Sequence, residues 1–194
     1  MGFIAQGLGP TDSAIVSRMG PEIVRVLRKA SAEIQRGNGR AESTLWFGDT
    51  ADPWMTRLQN ALNRMASVIN VTDISVGFES LSDRSGAFAA AYEPTGGWNN
   101  YADIASARGR SFTIRLDTAW NRTPQYRPLG TPADSQFCTL VHELTHLVLG
   151  TEDVDKGGIT MYGVDNAKQL ASTSPYDAKD NADNWGYFVE EFRA

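Results

Sequence analysis

The 194-residue chain holds two histidines, and both stand in one run, Val141-His142-Glu143-Leu144-Thr145-His146-Leu147. If this run is helical, His142 and His146 project from one face a turn apart, close enough to share a small cation. Imidazole suits zinc, and a zinc site that does chemistry takes three protein ligands and keeps a fourth position for water. Glu143 lies beside that face, where its carboxylate can take a proton from metal-bound water attacking a carbonyl. The spacing therefore offers metal-assisted hydrolysis.

With no further histidine, the third ligand must come from another residue type. Cys138 is four residues before His142, but it sits in the apolar register of Phe137, Leu140 and Val141 and reads as a small core residue. A carboxylate is the better candidate. Glu152, Asp153 and Asp155 follow just past Gly150, where the chain can turn back toward the helix. Each alone would be an ordinary solvated loop acid, yet the metal site needs one of them.

These residues need a scaffold, and the periodicity supplies one. Ile23, Val26, Leu27, Ala30 and Ile34 predict a helix opened by Pro21 and closed at Gly37-Asn38-Gly39, with residues 1–20 as a flexible lead-in. Thr44-Leu45-Trp46-Phe47-Gly48 reads as a connection to a second helix, with Asp52 as its N-cap, Pro53 first in the helix, and Trp54, Leu58, Leu62, Met65 and Ile69 on one face. Ile74 to Phe78, Phe88 to Tyr92 and Phe112 to Leu116 predict short strands split by Gly, Asn and Ser clusters. After a proline-containing connection from Asn121 to Ser135, Phe137, Leu140, Val141, Leu144, Leu147 and Val148 mark the histidine-bearing helix, which Gly150 stops. A loop from Gly150 to Gly163 leads to helical pattern at Ala167 to Ala171, a break at Ser174-Pro175 and a last helix from about Ala178 to Phe192.

Composition narrows the function classes. Hydrophobic residues are 41% and charged residues 21% of the chain, the balance of a folded globular protein, and its length fits one domain. A net charge of -5 and scattered basic residues argue against nucleic acid as a partner; Arg25, Arg28 and Lys29 fall on the polar side of a helix. The single cysteine allows no internal disulfide. The N-terminal segment lacks the pattern of a signal peptide, and no stretch approaches a membrane span, so a soluble protein with no membrane partner is expected.

The motifs together resemble the aspzincin metallopeptidases, which include deuterolysin and fungal lysine-specific metalloendopeptidases. In that family the HExxH helix is followed by Gly-Thr-x-Asp-x-x-Tyr-Gly. Here Gly150-Thr151-Glu152-Asp153 matches the first half and Tyr162-Gly163 the second, but eight residues, Val154 to Met161, stand where the pattern has two. Leu170-Ala171, Ser174-Pro175 and Asn181 to Phe188 are similar to the family's closing segment, and Trp46-Phe47-Gly48 is similar upstream, so the likeness runs from about Val24.

The resemblance implies an α+β, zincin-like fold, mainly helical with a small β-sheet whose edge can hold an extended peptide, spanning residues 1–194 as a single metallopeptidase domain. It implies one catalytic zinc ion on His142, His146 and Asp153, with Asp155 as the alternative third ligand, Glu143 as the catalytic base and Tyr162 as the oxyanion donor. Asp183 falls on the first of two acids that receive the substrate's lysine, after the scissile bond, in lysine-specific members; Gly186 stands where the second is expected. The expected activity is a zinc endopeptidase acting on protein or peptide, with a preference for a basic residue after the cut. The expected setting is a monomeric bacterial toxin or effector domain exported without a cleavable signal, with an inhibitor or immunity protein as a partner. Two alternatives stay open: a catalytically silent zincin-fold binding module, and a zinc amidase acting on a non-protein amide or cell-wall peptide.

Overall fold

Phe3 is the first side chain of the chain to leave water, and it does so in strand β1 (Gly2–Ala5). The computed structural model describes residues 1–78, 88–92, 111–128 and 131–194. The Gly, Asn and Ser clusters expected between the strands lie largely outside these residues. β1 pairs in parallel with β2 (Asp73–Phe78), and β2 pairs in parallel with β4 (Ser111–Leu116). The short strand β3 (Ala89–Tyr92) runs antiparallel to β4 and forms the other edge of this four-stranded sheet, in the order β1-β2-β4-β3. Ile74 and Val76 alternate inward on β2 and pair with the buried Phe112 and Ile114 of β4, which fixes the register of the central strands.

Helix α1 (Pro10–Gln35) packs on α3 (Asp52–Val71) and against β1. Pro21 lies inside α1 rather than at its start. A proline there removes one helical hydrogen bond and costs about 3 kcal/mol. Ile15, Val16 and Met19 before it continue the buried stripe of Ile23, Val26 and Leu27 after it, and burial on both sides carries the helix through. Residues 1–20, expected as a lead-in, are thus a strand and the first part of a helix packed in the main core.

The expected connection at Trp46-Phe47 is also helical. Helix α2 (Arg40–Phe47) has little local support, since no side chain caps its start, and it forms because Trp46 and Phe47 are fully buried. Gly48 ends it at φ 63°, where an added Cβ would meet the Ala171 carbonyl oxygen at 2.0 Å, so only glycine fits. The N-cap of α3 is Ala51, one residue before the expected Asp52; Asp49 accepts the Ala51 N–H at 2.7 Å, and Asp52 binds Arg40 at 2.6 Å.

Helix α4 (Gln136–Leu149) is buried nearly all round and runs through the middle of the molecule. Ser135 caps it by accepting the Cys138 N–H at 2.9 Å, and Gly150 ends it in the left-handed conformation at φ 69°, as the sequence predicts. Helices α5 (Val164–Thr173), α6 (Pro175–Asp180) and α7 (Ala182–Glu191) follow. The single last helix expected from Ala178 is broken at Asn181, whose buried side chain accepts the Val154 N–H and donates to the Met161 carbonyl and to Asn184. α7 lies along α4, and the buried Glu190 accepts from the Ser135 hydroxyl at 2.8 Å and from the Arg127 N–H at 2.8 Å, tying the end of α7 to the start of α4. The architecture is the expected one, mainly helical with a small sheet. Among the described residues no helix is long and apolar enough to cross a membrane.

Candidate metal centre

Helical spacing on α4 brings the His142 and His146 rings to 4.7 Å between centroids, nearly perpendicular, with their Nε2 atoms 3.0 Å apart. Asp153 turns back to meet them: its Oδ1 lies 3.1 Å from His142 Nε2 and 3.3 Å from His146 Nε2. The turn has local causes. Gly150 reverses the chain, the Thr151 carbonyl accepts from His146 Nδ1 at 2.7 Å, and Glu152 is clamped through its backbone to Asp180 and Ala182.

The outer nitrogens decide what the inner ones can do. The nearest partner of His146 Nδ1 is the Thr151 carbonyl at 2.7 Å, closer than the Thr151 hydroxyl at 3.4 Å, and that of His142 Nδ1 is the Asp183 carboxylate at 2.6 Å, so each Nδ1 carries the donated proton. In the neutral rings both Nε2 lone pairs then face each other and a carboxylate oxygen, an arrangement that a cation satisfies. Among the described residues His142, His146 and Asp153 are the group able to hold a metal ion, their ligand atoms all within 4.8 Å of one another. Two imidazoles and a carboxylate suit zinc and leave a position open.

Burial works against the Asp153 carboxylate, but hydrogen bonds to both histidines outweigh it and hold its pKa far below the usual carboxylate range. Burial likewise disfavours a charged His142, while Asp153 and Asp183 favour it and raise its pKa overall. The acids that would stabilise a proton there stabilise a metal cation in the same way. Glu143 is 3% exposed, burial pushes its pKa up, and its Oε2 has no hydrogen-bond partner among the described residues. A buried carboxylate oxygen left unpaired is costly unless something polar enters beside it.

Tyr162 lines the same cavity as His142 and Glu143, its ring centroid 6.1 Å from that of His142. Burial, and then Asp153, raise its phenol pKa well above the ordinary value, so it stays a hydrogen-bond donor. The long insertion before it is a small hairpin. Asp155 bridges Thr160, Met161 N–H donates to the Val154 carbonyl at 2.8 Å, and Gly157 and Gly158 turn the chain at φ 66° and 83°. Asp155, exposed, accepts the Gly158 N–H at 2.8 Å within this hairpin and stands apart from the histidines.

Cys138 is buried, and burial pushes its thiol pKa up, so it behaves as a core residue. Asp183 sits behind His142 with both oxygens engaged: Oδ2 accepts the Gly163 N–H at 2.7 Å. At Gly186 an added Cβ would lie 2.6 Å from the Cys138 sulfur, so α7 and α4 meet too closely there for an acid. A residue that sequence reasoning passed over is Asp134. It accepts from the Tyr187 hydroxyl and borders, with Phe88, Thr139 and Glu143, a cavity of about 230 Å³ beside the histidines. Its one sequence signal is its place directly before the cap of α4.

Comparison with known proteins agrees with this geometry. Residues 33–190 match the aspzincin family model, described as lysine-specific metallo-endopeptidase. The chain is 48% identical over 62 residues to an extracellular protease of Aeromonas hydrophila and 44% identical over 62 residues to a peptidyl-Lys metalloendopeptidase of Armillaria mellea. Each match covers 31% of this chain but only 16% of the relative. A peptidyl-Lys metalloendopeptidase of Pleurotus ostreatus is 30% identical over 149 residues, 76% of this chain and 71% of that protein. The solved structure of a zinc peptidase from Grifola frondosa superposes with a TM-score of 0.66 at 23% identity, covering 95% of this chain and 97% of that one, and so shares its fold.

Proposed function

The chain belongs to the aspzincin family, as its motifs indicated, and from that premise we propose that it is a zinc-dependent endopeptidase. The observation that carries the reading is the convergence of His142, His146 and Asp153 beside the unpaired carboxylate oxygen of Glu143. In this reading His142, His146 and Asp153 hold one zinc ion, which supplies Lewis-acid polarisation of a carbonyl and a water of lowered pKa. Glu143 takes the proton of the attacking water and delivers it to the leaving amine. Tyr162 donates a hydrogen bond to the oxygen that gains negative charge. Asp183 and the Thr151 carbonyl hold the two rings in their working tautomer. An extended peptide fits along β3, an edge strand that packs against α4.

Residues 1–194 act here as one monomeric domain, a reading supported by the shared core of α1, α3, α4 and α7. The names of the fungal relatives support a preference for a basic residue after the scissile bond. The extracellular protease of Aeromonas hydrophila supports work outside the producing cell, where a toxin or effector role with a restraining immunity protein would belong.

The test is mass spectrometry of an unbiased peptide mixture digested by the zinc-loaded protein, beside Glu143→Gln and a chelated control. New termini confined to the intact, zinc-loaded protein are expected. Equal cleavage by Glu143→Gln would sink the assignment.

A further inference from the structure

The cavity beside His142 is bordered by three carboxylates, Glu143, Asp134 and Asp183, and the last two differ in what they have left to offer. Asp183 is spent: Oδ1 meets His142 Nδ1 at 2.6 Å, Oδ2 accepts the Gly163 N–H at 2.7 Å, and the Tyr187 hydroxyl lies 3.5 Å from that same oxygen. Position 186 contributes nothing, because Gly186 is pressed against Cys138. Asp134 is different. Its Oδ1 accepts from the Tyr187 hydroxyl, and its Oδ2 has no hydrogen-bond partner among the described residues.

Among the described residues, Arg127 and His142 act on Asp134 through space only, without a direct ion pair. The guanidinium of Arg127 is fully buried between the rings of Trp46 and Tyr187 and is engaged by Glu191 at 2.9 Å and Glu190 at 3.6 Å. Burial pushes the Asp134 carboxyl above its ordinary pKa, although the hydrogen bond from Tyr187 works against that rise. The unpaired Oε2 of the almost fully buried Glu143, assigned above to the attacking water, borders the same cavity and sets the reacting end beside it. Phe88, Ala89 and Cys138 give the cavity apolar wall between these polar points. Apolar wall leading to a half-buried carboxylate matches a long aliphatic stem that ends in a cation.

We propose that Asp134 is the specificity-determining residue of the cavity, accepting the charged head of a substrate lysine or arginine. This deepens the peptidase reading and rests on it. Oδ1 is oriented by Tyr187, and Oδ2 meets the incoming ammonium or guanidinium in a charge-assisted bond. An uncharged side chain of equal length would fill the same volume and leave Asp134 Oδ2 without a partner, so the cavity discriminates through the cost of that unmet oxygen.

The test measures binding of lysinamide and norleucinamide to the zinc-loaded full chain by calorimetry, which needs no turnover. The intact protein is expected to prefer lysinamide by about tenfold or more. Asp134→Asn, which keeps an acceptor for Tyr187, should reduce that preference to threefold or less, and Asp134→Glu should restore part of it. A preference that survives in Asp134→Asn, or an intact protein with no preference, overturns the proposal. Equal weakening of both amides in Asp134→Asn would make Asp134 a buttress for Tyr187 and would overturn it too. Peptide cleavage assayed in parallel separates the two readings: loss of cleavage with the lysinamide preference intact counts against the peptidase, not against Asp134.

Discussion

Asp183 stands directly behind His142, its Oδ1 2.6 Å from Nδ1, while Asp153 faces the opposite nitrogen of the same ring at 3.1 Å. One imidazole is thus held between two carboxylates from distant parts of the chain. Removing the rear one should loosen the ring without removing a ligand. Asp183→Ala is expected to weaken zinc binding about 10- to 100-fold, and Asp183→Asn less, since its amide oxygen can still accept from Nδ1. Chelator competition measures both; unchanged affinity in Asp183→Ala would remove Asp183 from the site.

Asp153 and Asp155 are two residues apart, yet only Asp153 reaches the histidines. Asp153→Ala should therefore lower zinc affinity by at least about tenfold, while Asp155→Ala should bind zinc as the parent does. Metal stoichiometry after gel filtration reads the difference. The reverse ranking would mean that the hairpin opens when metal binds.

Gly186 marks the closest approach of α7 to α4. A Cβ there would stand 2.6 Å from the Cys138 sulfur and 3.0 Å from its carbonyl oxygen. Gly186→Ala should cost about 1–3 kcal/mol in urea unfolding. Adding Cys138→Ala should recover only part of this, because the carbonyl remains. Full recovery would show that the sulfur alone sets the spacing.

Lys179 on α6 reaches Asp49 at 2.6 Å, fastening α6 to the turn between α2 and α3. The hydrogen bond from Lys179, with help from the Ala51 N–H, lowers the Asp49 pKa below its ordinary 3.8. The carboxylate is the form favoured by folding, so this contribution is present in full above pH 3.8 and fades as pH falls through the lowered folded value. Asp49→Asn should be less stable than the parent at pH 7, and the gap should shrink as the pH is taken progressively below 3.8. Thermal melts across that range test the sign; a gap constant with pH would mean that Asp49 acts by shape.

The parts of the site that a helix can place were legible in the sequence. His142, Glu143 and His146 needed only the helical repeat, and Gly150 announced the end of α4. What lay beyond reach depended on distant chain segments. The residues alone left Glu152, Asp153 and Asp155 open, and only the clamp of Glu152 to Asp180 and Ala182 aims Asp153 at the rings. Asp183 read as a substrate acid, which did not anticipate its bond to His142 across 41 residues of chain. Pro21 looked like a boundary because local propensity disfavours it inside a helix, whereas burial of Val16, Met19 and Ile23 overrides propensity. α2 was missed for the opposite reason, since its stability lies in aromatic contacts with Tyr187, Trp185 and Phe188 that no short window contains.

The hairpin between Asp153 and Tyr162 closes on itself through Val154 and Met161, and Asn181 grips both of its legs. Whatever lies beyond that knot is mechanically insulated from the two residues that flank it. Lengthening an exposed loop by a doubling costs only about 0.6 kcal/mol in closure entropy. The tip at Gly157-Gly158 is therefore a graft point, where a tag or reporter peptide could be spliced a few residues from the reacting atoms with the catalytic register left in place.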